Sequence, residues 1–122
     1  MTDSKLLDSS IWISFIIENK NVDIIESEQL LFLSSLSIFE IKRKLIRDKI
    51  KKEDIERTIE FIKKRSSIIN VDEKIAEKAA EISSEKNIPA IDSLIYATTI
   101  LNNLTLITLD NDFRDLTNIK IL

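Results

Sequence analysis

Short apolar segments alternate with longer stretches whose apolar residues recur every three or four positions, and this alternation limits the fold more than any other feature. Lys5 to Leu7, Leu30 to Leu33, Ser67 to Val71, Thr105 to Thr108 and Ile119 to Leu122 read as strands. Helical spacing marks Ile11, Trp12, Phe15 and Ile16, then Ile38, Ile41 and Leu45, then Ile55, Ile59 and Ile62, then Ile75, Ala79 and Ile82. Val22, Ile24 and Ile25 fit either a helix or a turn. Pro89 opens a last helix that runs to about Asn102 and Asn103. Strands separated by helices of this length need crossover connections, so the sheet is expected to be mainly parallel and covered on both faces. With 122 residues the chain supports one core, and we expect a single three-layer α/β/α domain over residues 1–122.

Composition narrows the chemistry. The chain has no histidine, no cysteine and no glycine. A Ser-His-Asp triad and a histidine acid–base pair are therefore closed to it. So are thiolate metal sites and disulfides, and the absence of cysteine suits a reducing cytoplasm. Glycine-rich phosphate loops and dinucleotide fingerprints are excluded for the same reason. The apolar run from Ile11 to Ile17 is interrupted by Ser14 and is too short to span a bilayer. It has neither a basic leading segment nor a small-residue cleavage site, so we expect no signal peptide and no membrane association.

Clustered carboxylates remain. Four short motifs each place an acid near a strand end or a helix start: Leu6-Leu7-Asp8-Ser9-Ser10, Ser37-Ile38-Phe39-Glu40, Ile91-Asp92-Ser93-Leu94-Ile95-Tyr96-Ala97, and Leu106-Ile107-Thr108-Leu109-Asp110-Asn111-Asp112-Phe113. In open α/β sheets ligands bind beyond the carboxyl ends of the strands, so these acids could meet at one edge. Oxygen ligands without nitrogen or sulfur favour Mg²⁺ or Mn²⁺. Such an ion activates water and stabilises charge on a phosphoryl oxygen, which points to phosphodiester hydrolysis leaving a 5′-phosphate and a 3′-hydroxyl. A phosphotransferase with an aspartyl nucleophile would want a second Asp where Ser10 stands. A phospho-acceptor receiver would want paired acids at its first strand.

Each acid also has an ordinary structural explanation. Asp8 could cap the first helix, Ser37-x-x-Glu40 could form a capping box, Asp92 could complement a helix N-terminus, and Asp110-Asn111-Asp112 could be turn chemistry. Asp72 follows a strand and precedes a helix in the same way, yet reads only as a cap. The functional case therefore rests on the set.

Net charge is −3, but the charges are unevenly spread. Lys42, Arg43, Lys44, Arg47, Lys49, Lys51 and Lys52 crowd one segment around the single acid Asp48, and Lys63, Lys64 and Arg65 form a second cluster. These are either a solvated helix face or contacts for a polyanion; Lys42, Arg43, Lys44 and Arg47 are the candidates for RNA backbone contact.

Taken in order, Asp-Ser-Ser-Ile-Trp-Ile, a helix-start Glu, Asp-Ser-Leu-Ile-Tyr-Ala and Leu-Ile-Thr-Leu-Asp-Asn-Asp-Phe resemble the PIN-domain nucleases, and within them the small VapC-type toxin ribonucleases. The resemblance runs from Lys5 to Leu122. It implies a five-stranded parallel sheet of order 3-2-1-4-5, with Asp8 and Asp110 at the central crevice and Asp72 outside it. It implies that Asp8, Glu40 and Asp92 are the core metal-binding acids, that Asp110 is the more variable fourth, and that Asp112 is an alternative or auxiliary there. Ser10 matches a small hydroxyl residue that supports the first acid or contacts phosphate, and Thr108 a similar one. The implied activity is Mg²⁺- or Mn²⁺-dependent endoribonuclease action by the toxin of a toxin–antitoxin pair, with a homodimer and an antitoxin protein as partner. The helices around Ile41 to Ile62 are the expected partner groove. The other readings are a stand-alone RNA-processing nuclease and a non-catalytic module that binds RNA or protein. Trp12 and Phe15 are read as core residues rather than base-stacking ones.

Overall fold

A computed structural model describes residues 4–122 of the chain; residues 1–3 of the expected single domain lie outside the described residues. Five strands form one parallel sheet: β1 (Lys5–Leu7), β2 (Leu31–Ser34), β3 (Ser67–Ile69), β4 (Thr105–Thr108) and β5 (Ile119–Ile121). Their order is β3-β2-β1-β4-β5, as the resemblance implies. Each strand is three or four residues long, so side-chain alternation alone decides what every position does.

That alternation splits the core in two. On β1, Leu7 points into one layer and Leu6 into the other; on β4, Ile107 and Leu106 do the same. Helices α1 (Ser9–Glu18), α3 (Ser35–Arg47) and α4 (Lys52–Arg65) cover the first face. There Ile11, Trp12, Ile41, Leu45, Ile55 and Ile62 pack on Leu7, Leu31, Leu33 and Ile107. Helices α5 (Glu73–Lys86) and α6 (Ala90–Leu101) cover the second face, where Ile75, Ala79, Ile82, Ile95 and Ala97 pack on Leu6 and Leu106. A parallel sheet buried on both sides explains why the central strands are apolar at consecutive positions. The ambiguous Val22–Ile25 segment is a four-residue helix, α2.

Trp12 is fully buried, and its ring meets Phe15 and Phe61 edge-on at 6.3 and 6.4 Å. Both aromatic residues of α1 thus serve packing, Trp12 wholly and Phe15 from a half-buried position.

Without glycine, the chain needs another residue wherever the backbone turns left-handed. Asparagine takes that role at Asn19, Asn21, Asn87, Asn103 and Asn118, with Lys49 and Asp115 completing the set among the described residues. Asn19 and Asn87 sit at the C-caps of α1 and α5. Asparagine tolerates this region better than other residues that bear a Cβ, because its short amide bonds locally.

The capping box expected at Ser37 is not formed. Strand β2 runs directly into α3, and the hydroxyl of its last residue, Ser34, accepts the Leu36 N–H at 3.1 Å. The helix therefore starts three residues earlier than the sequence pattern suggested. Ser37 turns into the core, with its hydroxyl buried and unpaired, and Glu40 falls in the second turn. By contrast Asp72 is the cap expected, accepting the Ile75 N–H at 2.9 Å beyond the edge strand β3.

Candidate metal centre

The connection order of the sheet reverses between β1 and β4, which lie side by side with Leu7 opposite Ile107. A crevice opens beyond the carboxyl ends of two strands at such a point. Asp8 is the first residue after β1. It occupies the N-cap position of α1 but makes no capping bond. Its carboxylate instead accepts from two hydroxyls, Ser10 Oγ at 2.8 Å and Thr108 Oγ1 at 2.8 Å. The helix-cap explanation of Asp8 therefore does not hold.

Asp110 lies two residues past β4 and caps a single 3-10 turn, Asn111–Phe113, by accepting the Asp112 N–H at 2.9 Å. The turn explanation and the cluster explanation coexist at this residue, because the cap uses only its Oδ1. Asp92 sits in the first turn of α6, whose start is fixed by Pro89 and by the Ser93 hydroxyl bonding back to the Pro89 carbonyl at 2.9 Å. Carboxylate oxygens of Asp92, Asp110 and Asp112 all lie within 4.8 Å of one another. Asp112 is thus drawn into the tightest group, more firmly than its auxiliary place in the sequence suggested.

Electrostatics tie the remaining acids to this group. Burial pushes the Asp92 carboxyl up to about 7, with the charges of Asp110, Asp8, Asp112 and Glu40 adding to the rise. Asp8, 7% exposed, is also raised, chiefly by burial, against the lowering effect of the Thr108 and Ser10 hydroxyls. Glu40 is raised by burial and by the charges of Asp8 and Asp110, with the Ser9 side chain opposing. Burial and the neighbouring carboxylates thus disfavour ionisation of Asp8, Glu40 and Asp92, in a site that gathers five acids and, among the described residues, no cation. A hard cation relieves that repulsion, and an all-oxygen donor set suits Mg²⁺ or Mn²⁺. The residues fit the ion.

Basic residues continue from the acids along α3. Glu40, Arg43, Lys44 and Arg47 follow the i, i+3, i+4, i+7 spacing of one helix stripe. Lys42, Arg43, Lys44 and Arg47 are all exposed. Lys44 pairs with Asp48 at 3.3 Å, and the Arg43 guanidinium lies over the Phe39 ring at 5.9 Å. Lys42, Arg43 and Arg47 also border a groove floored by Ile38, Phe39 and Ile46, of which Phe39 and Ile46 are more than half exposed. The second basic cluster does not behave as one. Lys63 and Lys64 are exposed, whereas Arg65 turns inward and donates to the backbone carbonyls of Ile25, Ser27 and Gln29.

Sequence reasoning missed two features. One is Ser9, buried beside Glu40; the other is the pair of backbone N–H groups at Leu109 and Asp110 that bond back to Ser10 and Thr108. The Asp110 bond to Thr108 spans only two residues, whereas nothing in the local sequence marks the Leu109 bond to Ser10, which joins residues 99 apart.

Residues 5–119 match the family model described as PIN domain. No curated protein sequence matches the chain significantly. Among solved structures, a toxin-antitoxin complex from Klebsiella pneumoniae shares 25% identity at a TM-score of 0.78, covering 95% of each chain. VapBC2 from Rickettsia felis, bound to a DNA fragment from its promoter, shares 20% identity at 0.79, over 98% of this chain and 97% of that one. The Mycobacterium tuberculosis toxin VapC20, which cleaves the sarcin-ricin loop, shares 14% identity at 0.71, over 89% and 92%. Among the described residues no helix is long and apolar enough to cross a membrane.

Proposed function

The chain belongs to the PIN domain family, and from that premise we propose that it is a Mg²⁺- or Mn²⁺-dependent endoribonuclease that serves as the toxin of a toxin–antitoxin pair. The observation that carries the reading is the convergence of Asp92, Asp110 and Asp112 within 4.8 Å, next to Asp8 and Glu40, at the strand ends. Asp8, Glu40, Asp92 and Asp110 hold the ion, and Asp112 assists. The bound ion supplies an activated water and stabilises charge on the phosphoryl oxygens. Because water is the nucleophile, the products carry a 5′-phosphate and a 3′-hydroxyl, and the 2′-hydroxyl takes no part. Arg43, Lys44 and Arg47 extend a cationic stripe from Glu40 on which the RNA backbone lies, with Lys42 beside it.

The partner is an antitoxin, as in the Klebsiella and Rickettsia complexes. The groove of Ile38, Phe39 and Ile46 offers it an apolar floor, and the basic rim of Lys42, Arg43 and Arg47 suits an acidic segment. An antitoxin arginine entering the acidic crevice would compete with the metal by charge-assisted pairing. The protein works as a homodimer in the cytoplasm.

Incubating the purified chain with RNA and Mn²⁺, then identifying the ends of the fragments, tests the reading. Fragments with 5′-phosphate and 3′-hydroxyl ends are expected. Cyclic 2′,3′-phosphate ends, or RNA retained uncut, would overturn it.

A further inference from the structure

The aromatic side chains of this chain are packed, with one exception. Trp12 and Phe113 are fully buried, Tyr96 is buried with its hydroxyl donating to the Thr117 carbonyl, and Phe32 packs into the second core. Phe15 and Phe61 stack on each other at 6.2 Å. Phe39 is 59% exposed, and among the described residues no other ring lies against it. Its neighbour is a cation: the Arg43 guanidinium, one helical turn further on, lies over the ring at 5.9 Å from the centroid. A phenyl ring left in water forgoes the burial through which such a side chain stabilises a fold, so packing does not account for Phe39.

Position gives the ring a use. Phe39 immediately precedes Glu40, so their Cα atoms are about 3.8 Å apart and the ring flanks the acidic site. Ile91 and Leu109, also exposed, immediately precede Asp92 and Asp110. Along the groove that Phe39 floors, the charges are of one sign. Lys42, Arg43 and Arg47 border it, and among the described residues none of the three has a carboxylate partner. An occupant that answers both features carries negative charge and a flat apolar face. Single-stranded RNA does: its unpaired bases stack on aromatic rings and guanidinium planes while its phosphates meet the cations. A duplex keeps its base faces stacked inside. The cations alone would suit an acidic protein segment equally, but a ring with a guanidinium plane beside it favours a base. Resting on the ribonuclease reading given above, we propose that Phe39 and Arg43 form a base-stacking subsite for the nucleotide next to the scissile phosphate, so that the substrate is RNA with an unpaired base at that point.

The test compares a short labelled oligouridylate with a strand of the same length whose residues are abasic, and reads binding by fluorescence anisotropy. Ca²⁺ replaces Mn²⁺ to neutralise the acids, and a gel confirms that the strand stays whole. Phe39→Ala is expected to weaken the oligouridylate about tenfold and the abasic strand by less than about twofold, with the salt slope unchanged. Phe39→Trp should at least match wild type. Arg43→Lys, which keeps the charge and loses the plane, should discriminate less between the two strands. Because Phe39 is exposed, its variants should melt as wild type does. Loss of equal size on both strands would overturn the proposal, and no loss on either would give the ring to a protein partner instead; the ribonuclease reading stands in both cases. Failure of wild type to bind either strand would overturn both.

Discussion

Oδ2 of Asp8 and the hydroxyl of Thr108 lie 2.8 Å apart although 100 residues separate them in the chain, and this contact joins the ends of β1 and β4. The aspartate in the N-cap position of α1 makes no side-chain capping bond, and its buried carboxylate is held by the Ser10 and Thr108 hydroxyls. The contact also places the most buried acid of the cluster where the sheet reverses direction.

The acids should make the metal-free protein sensitive to pH. The Asp92 carboxyl titrates at about 7 in the folded chain against 3.8 for the free side chain. Between those values the folded state holds the extra proton, so stability from this group is greatest at low pH and is lost as pH rises through about 7. Metal-free protein should therefore melt at a lower temperature at about pH 8 than at about pH 5, and Asp92→Asn should flatten the difference. Saturating Mn²⁺ should raise the melting temperature most at the higher pH, since it binds the ionised acids of the folded state alone. Thermal melts across pH, with and without metal, measure this.

Neutralising one acid should stabilise the empty site while impairing its use. Asparagine at position 110 keeps the side-chain oxygen that accepts the Asp112 N–H, so the turn survives while a charge in the cluster is removed. Asp110→Asn should melt a few degrees higher than wild type without metal, on the order of 1 kcal/mol, and should bind Mn²⁺ more weakly. Equal melting temperatures would mean that the acids do not repel one another appreciably.

Arg65 is a structural residue despite its place in a basic cluster. Its guanidinium holds three carbonyls of the loop between α2 and β2. Arg65→Met should cost about 2 kcal/mol in urea unfolding and leave the salt dependence of RNA binding unchanged.

The stripe on α3 should behave in the opposite way. Replacing Arg43, Lys44 and Arg47 with alanine should leave stability nearly unchanged, since all three are exposed. Each lost phosphate contact should lower the log–log salt slope for single-stranded RNA by about 0.7. An unaltered slope would return the stripe to a solvated face.

Much of this architecture was legible in the residues themselves. Strand positions followed from apolar alternation, whereas the sheet order was implied by the resemblance to the PIN-domain nucleases and is the order observed. The start of α3 did not, since Ser34, Ser35 and Ser37 all offer plausible caps and only the length of β2 decides among them. The acids could be named and expected at one edge of the sheet, yet which of them lie closest together could not be read from the sequence. That Asp112 joins Asp92 and Asp110 depends on one 3-10 turn, and that Asp8 is held by hydroxyls depends on strands pairing across the whole chain. Likewise the three cations of the Lys63-Lys64-Arg65 cluster look equivalent in sequence, and only packing against the loop before β2 turns Arg65 inward.

The proposed role of these carboxylates is to hold a divalent ion for RNA hydrolysis. Its most direct test is cleavage of RNA by wild type and by Asp8→Asn in parallel, with Mn²⁺ and with a chelator. Cleavage by wild type that the chelator abolishes is expected, with loss of at least about 100-fold in Asp8→Asn, which should still unfold cooperatively. Equal cleavage by the two proteins, or wild-type cleavage that persists in chelator, would contradict it.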